Sequence, residues 1–343
     1  MARRTVDDLI LLSIPELREI FIETMRDIAD AAIIDEMVRA IEAGDPAAAF
    51  RAAGFTPAAL APILDNIERI YKESGYLTAG GFPRRLSTPT GDIYFRFNVR
   101  NPRAEQQLRD HSTQLATRLT DEARENIRIT MERGQIAGNN PRKTALDIVG
   151  RIDPVTKQRV GGVIGLTKNQ ELWISNARRD LENLDKRYFT RSLRDKRFDS
   201  TVLKAIESGD PLSTTTIDKL ITAYKSSALR YRGESISRTE VAQAVNRASH
   251  EAHLQAVDEG ALKASAVERY WDDVGDTRTR WTHNVMGVKY KKKGVGLEEP
   301  FVSPSGAKMM FPGDSSLGAD AQEIINCRCR VKFKVDWFAG LDE

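Results

Sequence analysis

The chain has 343 residues, of which 41% are hydrophobic and 29% are charged. This length can bury a sizeable core and predicts two or three domains, and the composition excludes a largely disordered protein. The formal charge is only +3, and the block from residue 266 onward balances 12 basic against 12 acidic residues, so the charge does not indicate a protein that holds DNA mainly through its phosphates.

Two further features bear on compartment and redox chemistry. The sequence has no apolar run of about 18 residues and no apolar leader segment at its N-terminus, which predicts no membrane partner and synthesis in a cytoplasm. Its two cysteines are Cys327 and Cys329. Residues two apart on a strand are separated by about 6.6 Å, too far for an unstrained disulfide, so we expect thiols or metal ligands.

Residues 1–75 are predicted to form helices that serve as scaffold or docking surface. Ser13 begins a capping box, and apolar residues then recur at every third or fourth position, as on one face of a helix. A second helix is predicted to end at Gly44. A third is predicted to begin at Thr56-Pro57 and to end at Gly75.

Residues 76–100 interrupt the helical pattern. Ile93, Phe95, Phe97 and Val99 alternate with other side chains, which predicts one strand, or half of a hairpin, with an apolar face. We favour an internal hairpin that covers the helices. The alternative is an edge that pairs with another subunit.

A second helical region is predicted from Pro102 onward. One helix begins at Thr120 and ends near Gly134, and the next ends at Gly150. The glycine-rich stretch 161–165 lacks the Gly-Lys-Ser/Thr ending of a phosphate loop, so it is predicted to be a turn.

Thr167 opens a second capping box and a helix with an apolar face. The predicted members of that face are Leu172, Trp173, Ala177, Leu181 and Leu184. Two more helices are predicted to end at Gly209 and Gly233. The basic cluster that precedes both of them is predicted to be solvated surface, with docking to an acidic partner or to DNA as alternatives. This cluster consists of Arg191, Arg194, Lys196 and Arg197.

The last predicted long helix begins with a third capping box at Ser237 and ends before Gly260. It carries a stripe of small residues, namely Val241, Ala244, Val245, Ala248, Ala252 and Ala256. Small side chains let another backbone approach closely, so we expect the C-terminal region to pack on this helix. A polar row of Thr239, Gln243 and Asn246 runs beside the stripe.

The C-terminal region, from Tyr270 to Trp337, holds three of the four tryptophans and both cysteines. Glycine and proline recur between short apolar runs, which predicts a compact, turn-rich β unit without a long helix. Such a unit depends on side-chain tethers as much as on backbone ladders.

Two groups of residues are candidates for chemistry. His250 and His253 share a helix face and could form a Cys2His2 zinc set with Cys327 and Cys329, with His283 as a spare ligand. The spacing of the two cysteines is shorter than in most structural zinc motifs, so core thiols and surface histidines are the favoured interpretation, and no cofactor is predicted.

The second group is Asp276, Arg278 and Arg280, which would share one side of a strand. An internal network with Asp314, Asp320 or Glu323 is the plain interpretation, and a phosphate or nucleotide site is the alternative. His283 nearby could act as a general acid or base. However, the sequence completes no known catalytic pattern, so the prediction is a protein without enzymatic activity.

Together these residues resemble the phage head morphogenesis proteins of the SPP1 minor-head and Mu F-like group. The likeness covers roughly residues 230–332 and depends on the order of its motifs. They are Arg238-Thr239-Glu240, Trp271, Asp276-x-Arg278-x-Arg280-x2-His283, Gly287, Phe301 to Gly306, Phe311-Pro312-Gly313-Asp314 and Asn326-Cys327-Arg328-Cys329. The helical residues before 230 carry no comparably specific motif.

The resemblance implies a minor structural protein of few copies, located inside the capsid near the portal and assembled in the host cytoplasm. It implies the portal protein as partner, with scaffolding or major capsid protein as further partners, and a role in capsid assembly, DNA packaging or DNA exit. Some relatives carry toxin domains after this region. The chain ends at Glu343, which leaves no room for one and favours the structural role.

The expected fold is α+β and mostly helical, with a small, turn-rich C-terminal β domain. We expect a helical region at 1–100 with a strand or hairpin at 76–100, a helical body at 101–233 and a Mu F-like domain at 234–343. Two rival functions are open. One is an enzyme, either a metal-dependent nuclease or a nucleotidyl or ADP-ribosyl transferase, and the other is a DNA-binding packaging factor that uses Arg191–Arg197 and Lys289–Lys293.

Overall fold

The structure, a computed structural model, describes residues 4–88, 91–337 and 339. The chain is 62% helical and 8% strand, which confirms the predicted α+β, mostly helical class. It divides into two compact units. The mixed unit contains Met1–Arg18, Leu64–His111 and Glu234–Glu343, and the helical unit contains Glu19–Ile63 and Ser112–Gly233. The predicted three-region division stays a prediction; it shares with these units the border at 233/234.

The longer elements are helices. They are α1 Val6–Ala31, α2 Ile34–Glu42, α3 Pro46–Ala52, α4 Ala61–Ala79, α5 Pro102–Ile136, α6 Pro141–Val149, α7 Lys168–Glu182, α8 Asp199–Ser208, α9 Thr214–Asp258, α10 Trp281–Lys292 and α11 Ala321–Ile324. The strands are β1 Leu86–Thr88, β2 Gly91–Ile93, β3 Arg151–Ile152, β4 Arg159–Val160, β5 Val267–Asp272, β6 Val295–Gly296, β7 Phe301–Val302, β8 Lys308–Met309 and β9 Arg330–Val335. Among the described residues, none of these helices combines the length and the apolar character that a membrane span needs.

Two predicted helix ends near the N-terminus are wrong. Helix α1 begins at Val6 rather than at Ser13, because Thr5 and Asp8 cap it reciprocally. The Thr5 amide donates to the Asp8 carboxylate at 2.8 Å, and the Asp8 amide donates to the Thr5 hydroxyl at 3.1 Å. Gly75 lies inside α4, where a Cβ atom would come within 2.1 Å of the Phe97 ring. This glycine admits an aromatic ring and does not end the helix.

Other predicted ends also lie within longer helices. Thr120 lies inside α5. Gly233 and Ser237 lie inside α9, which runs unbroken for 45 residues. The Ser237 hydroxyl donates to the Glu234 carbonyl at 3.4 Å, within the helix, and therefore caps no new one. The structure confirms the helix ends at Gly44, Gly150 and Gly209 and the predicted end before Gly260, since α9 ends at Asp258.

The helical unit has an apolar core between α7, α8 and the first part of α9. Its buried members are Leu166, Ile174, Ala177, Leu181, Tyr188, Val202, Ile217, Leu220, Ile221, Tyr224 and Ala228. The capping box of Thr167 with Gln170 is confirmed, and so is the turn at 161–165. Leu172 and Trp173 are not on the inner face, since they are 51% and 38% exposed. Ile174 takes the buried position instead.

The basic cluster is largely neutralised by neighbouring carboxylates, so the prediction of a solvated face is wrong for half of it. Arg191 donates to the buried Asp180 at 2.7 and 2.5 Å. Arg194 pairs with Asp199 at 2.9 and 3.0 Å. Lys196 and Arg197 are exposed, and Arg197 pairs with its neighbour Asp195.

The hairpin at 76–100 is present but short. Strands β1 and β2 pair antiparallel, with Leu86 opposite Ile93. The predicted strand over 93–99 is wrong beyond Ile93, because β2 covers only Gly91–Ile93. The predicted inward side chains are nevertheless correct. Phe97 packs on Tyr71 with ring centroids 6.0 Å apart, and Phe95 stacks on Phe82 at 5.4 Å. These contacts within the mixed unit support the internal interpretation over an intersubunit edge.

The C-terminal residues of the mixed unit form a small antiparallel sheet in the order β6-β5-β9, with Trp271 opposite Val331. A separate hairpin joins β7 and β8. The expectation of no long helix is wrong, because α10 spans 12 residues. Its buried side at His283, Met286, Gly287 and Tyr290 has helical spacing, but a histidine and a glycine in it conceal the apolar pattern.

Candidate functional site

His283 meets both cysteines in the interior of the mixed unit. His283 lies in the first turn of α10, and the cysteines lie in the irregular segment between α11 and β9. The Nδ1 atom of His283 is 3.5 Å from the Sγ atom of Cys327 and 3.4 Å from that of Cys329. Each side chain is at most 2% exposed, and both thiols are free. We call these three residues the His–Cys–Cys cluster.

The other ring nitrogen of His283 faces a carboxylate. Its Nε2 atom lies 2.9 Å from the Oε2 atom of Glu323, a residue of α11 that is 4% exposed. Burial raises the pKa of Glu323, but hydrogen bonds from Ser305 and Thr282 and the nearby His283 outweigh burial and leave that pKa below its usual value. The carboxylate of Glu323 thus faces Nε2 of the ring, and Nδ1 is the ring nitrogen that faces the two sulfur atoms.

The two thiols differ in acidity. The hydrogen bond from Cys329 lowers the pKa of Cys327 well below its usual value, against the effect of burial, and His283 acts in the same direction. The pKa of Cys329 is raised, first by its hydrogen bond to Cys327 and then by burial. Cys327 is therefore the more acidic thiol of the pair.

Trp271 and Gly287 shape the space around the cluster. The Trp271 ring is 1% exposed and meets the His283 and Phe301 rings edge to face, with centroids 5.1 and 5.3 Å away. Gly287 lies one turn after His283 on α10, and a Cβ atom there would come within 2.1 Å of a carboxylate oxygen of Asp273. The motif glycine thus leaves room for Asp273 beside the cluster.

The motif arginines form no common face, because residues 273–280 make a turn and not the predicted strand. Asp276 pairs with Arg328, one of whose bonds measures 2.8 Å, and more loosely with Arg278 at 3.4 Å. Hydrogen bonds from Arg328 lower the pKa of Asp276 strongly. Arg280 donates to the Ile325 carbonyl. The predicted acidic partners Asp314, Asp320 and Glu323 are therefore replaced by Asp276 for Arg278 and by the Ile325 carbonyl for Arg280.

Helix α9 binds the irregular C-terminal segments through the predicted polar row of Thr239, Gln243 and Asn246, which His250 extends by one more position. The Thr239 hydroxyl accepts from the Asn326 amide at 2.9 Å, and the Gln243 amide donates to the Gly313 carbonyl at 2.5 Å. The Asn246 side chain donates to the carbonyls of Pro312 and Cys329 at 3.0 and 3.3 Å and accepts from the Val331 amide at 3.1 Å. The motif residues Pro312, Gly313 and Asn326 are thus the backbone positions at which the row binds.

His250 and His253 do not join the cysteines, so the predicted Cys2His2 set is wrong. The Nε2 atom of His250 lies 3.0 Å from the Leu297 carbonyl. His253 stacks on Phe333 with centroids 3.8 Å apart, and its Nδ1 atom lies 2.8 Å from the Ser249 carbonyl. Both are buried, not surface, histidines, and burial lowers the pKa of each to about 4. The spare histidine of the prediction, His283, is the one that meets the thiols.

The remaining motif residues on α9 are in ion pairs. Arg238 pairs with Glu234 at 2.6 Å, on an accessible face. Glu240 is 1% exposed and lies 2.8 Å from the Nε2 atom of His111. This motif thus provides contacts within the mixed unit.

Sequence reasoning did not name the buried Arg269, and it named Glu323 and Asn246 without their observed partners. Arg269 is fully buried on β5, where its guanidinium donates to the Gly296 carbonyl at 3.0 and 2.7 Å and lies 5.2 Å from the Phe301 ring centroid. Burial lowers its pKa to about 10. Its inward position follows from the alternation of Val267, Arg269 and Trp271. No comparable signal marks the contacts of Glu323 or Asn246.

The His–Cys–Cys cluster has the components of two kinds of site. A thiol, an imidazole and a carboxylate in sequence would suit nucleophilic catalysis, and all of these groups are at most 4% exposed. Two sulfur ligands and one imidazole nitrogen are also the donor set that zinc prefers.

Comparison with protein-family models, curated proteins and solved structures returned no match. The fold and the cluster therefore define the protein only by class: an α+β protein with a closed C-terminal core around a buried histidine and two thiols.

Proposed function

We propose that this protein is a minor structural head protein of a tailed phage that acts in capsid assembly, DNA packaging or DNA exit. Its location would be the interior of the capsid near the portal, with the portal protein as partner and scaffolding or major capsid protein as further partners. The observation that supports this proposal is the convergence of the motif residues. Trp271, His283, Cys327 and Cys329 lie in one closed core, and Pro312, Gly313 and Asn326 bind the row on α9.

In this role the protein acts without catalysis. A motif that supplies a closed core specifies a fold, whereas an active site needs side chains that a substrate can reach. The two thiols and His283 are buried, as expected of residues that specify a fold.

Co-purification tests the portal as partner. The full chain and the phage's portal protein are expressed together, and portal rings are isolated by affinity and size. We expect the chain to remain with the rings in sub-stoichiometric amount, and not with rings of an unrelated phage expressed in parallel. Rings that carry none of the chain, or equal amounts on both kinds of ring, would contradict the proposal.

A second candidate function, contact with packaged DNA, is favoured by the end of α10. Lys289, Lys291, Lys292 and Lys293 are all exposed there. Duplex DNA should then bind with an affinity that falls with salt, and replacing the four lysines by glutamine should reduce the slope of log affinity against log salt by roughly 0.9 for each phosphate that the protein no longer neutralises. The absence of a DNA complex at physiological ionic strength would exclude this function.

A further inference from the structure

The geometry points to a zinc site formed by Nδ1 of His283 and the Sγ atoms of Cys327 and Cys329. This inference concerns the C-terminal core itself and does not depend on the proposed role in phage assembly. Three observations carry it: the spacing of the three atoms, the carboxylate behind the histidine, and the separation of the ligands along the chain.

The spacing of the ligand atoms fits a tetrahedral zinc ion. Zinc binds sulfur at about 2.3 Å and nitrogen at about 2.0–2.1 Å, so that the sulfur and nitrogen corners of a tetrahedron lie about 3.5–3.6 Å apart. The observed distances from Nδ1 to the two sulfur atoms are 3.5 and 3.4 Å. All three ligand atoms lie within 4.8 Å of one another. Small movements of side chains would therefore admit the ion.

The environment of His283 is that of a metal ligand. Histidines that bind zinc usually donate the N–H of the other ring nitrogen to a carboxylate, which fixes the tautomer and the ring orientation. The Oε2 atom of Glu323, 2.9 Å from Nε2, occupies this position. Glu323 is itself held by the hydroxyls of Ser305 and Thr282 at 2.6 and 3.0 Å.

The ligands come from segments that are far apart in sequence. His283 is 44 and 46 residues away from the cysteines. A shared ion would tie α10 to the segment before β9, across a region with little regular structure. Thiolate and imidazole ligands favour zinc over magnesium or calcium, which prefer oxygen. Three protein ligands leave one tetrahedral position for a water molecule or another ligand.

The metal content of the full chain tests this inference. The protein is purified under reducing conditions, loaded with zinc, separated from free metal and analysed for metal and protein. We expect about one zinc per chain in the wild type and in His253→Gln, which removes an equally buried histidine away from the thiols. Cys327→Ser, Cys329→Ser and His283→Ala should each lose most of the zinc. Wild type without zinc, or serine variants that retain it, would overturn the inference.

A measurement on the wild type alone guards against variants that fail to fold. Cobalt(II) bound to two thiolates in a tetrahedral site shows intense visible bands and a sulfur-to-metal charge-transfer band. We expect both upon replacement of zinc by cobalt, and their loss on addition of one equivalent of zinc. Cobalt bound without a charge-transfer band would show that the thiols are not ligands. A zinc chelator should also lower the Tm of the wild type by several degrees, because the ion binds the folded chain; an unchanged Tm would count against the site.

Discussion

In the helical unit, a large cluster of apolar side chains fills the interior between α7, α8 and α9, and Gln170 adds a polar contact from α7 to the Ala228 carbonyl of α9 at 2.8 Å. In the mixed unit, polar side chains reach across the interior to backbone groups. Thr239, Gln243 and Asn246 bind the segments before β9, and Arg269 binds the carbonyl of Gly296. Apolar packing therefore dominates the interior of the helical unit, whereas the interior of the mixed unit also depends on hydrogen bonds from side chains to backbone.

The difference follows from how many of its own hydrogen-bonding groups each backbone can pair. A helix pairs its own amides and carbonyls, so its neighbours need supply only apolar surface. A turn-rich segment leaves backbone groups without ladder partners, and a buried amide or carbonyl must be paired elsewhere. The stability of the mixed unit should therefore depend on individual polar side chains, and that of the helical unit on packing. Four predictions test this contrast.

The largest effect is expected at the centre of the C-terminal core. Trp271→Ala should lower the free energy of unfolding by roughly 3–5 kcal/mol, because it removes a buried aromatic side chain and leaves a cavity. Trp281→Ala is the control, since Trp281 is 69% exposed; it should change stability by less than about 0.5 kcal/mol. Denaturant unfolding followed by circular dichroism measures both. A decrease below about 1 kcal/mol for Trp271→Ala would show that Trp271 does not contribute to the core as proposed.

A buried ion pair in the helical unit is an exception to the contrast, because there a polar contact should contribute strongly to stability. Arg191→Ala leaves the buried carboxylate of Asp180 without its guanidinium partner, which should cost roughly 3 kcal/mol. Arg197 lies in the same basic cluster, but its side chain is 85% exposed, so Arg197→Ala should leave the unfolding midpoint unchanged. Equal effects of the two substitutions would show that packing alone, and not this pair, holds the helical unit.

The polar row gives the sharpest test for the mixed unit. Asn246→Ala removes two donors and one acceptor and leaves buried backbone groups of Pro312, Cys329 and Val331 unpaired. We expect the free energy of unfolding to fall by roughly 2–3 kcal/mol. In the helical unit, Asn176→Ala removes only a contact with Arg179 on α7 and should cost less than about 0.5 kcal/mol. Similar decreases for both would contradict the contrast.

The smallest effect expected from a single residue is the dependence on pH that the histidines give to the mixed unit; the helical unit contains no histidine. Burial lowers the pKa of His250 and His253 to about 4 from 6.5. The unfolded state therefore binds more protons between these values, and stability falls as the pH drops through that window. From pH 7 to 5 the decrease should be roughly 2 kcal/mol for each histidine. His253→Gln should reduce the slope by about half; an unchanged slope would refute the assignment.

Local sequence signals predicted those helix ends that no tertiary contact overrides. The capping box at Thr167 begins a helix as predicted, and the glycines at 44, 150 and 209 end helices as predicted. Ser13, Gly75 and Ser237 carry the same signals, but longer helices run through them, and at Gly75 the Phe97 ring is the reason. A capping residue begins a helix only where the residues before it are not themselves helical. Contacts with residues far away in sequence determine whether they are.

For the candidate site, the sequence supplied the residue types but not their partners. The two cysteines, the histidines and the polar row could all be identified as candidates. However, the choice of His283 over His250 and His253 depends on the position of α10, whose periodicity is concealed by His283 and Gly287 themselves. Glu323 comes from a four-residue helix and could not be assigned without the fold.

The position of the polar row along the chain has a consequence for synthesis. The row lies at residues 239–250, whereas its partners lie between Leu297 and Val331. When helix α9 leaves the ribosome, the side chains of the polar row are therefore still hydrated. About eighty further residues must be synthesised before Val331, the last of their partners, is available. Non-local contacts of this kind form slowly, and the nascent chain is open to chaperones and proteases until they do.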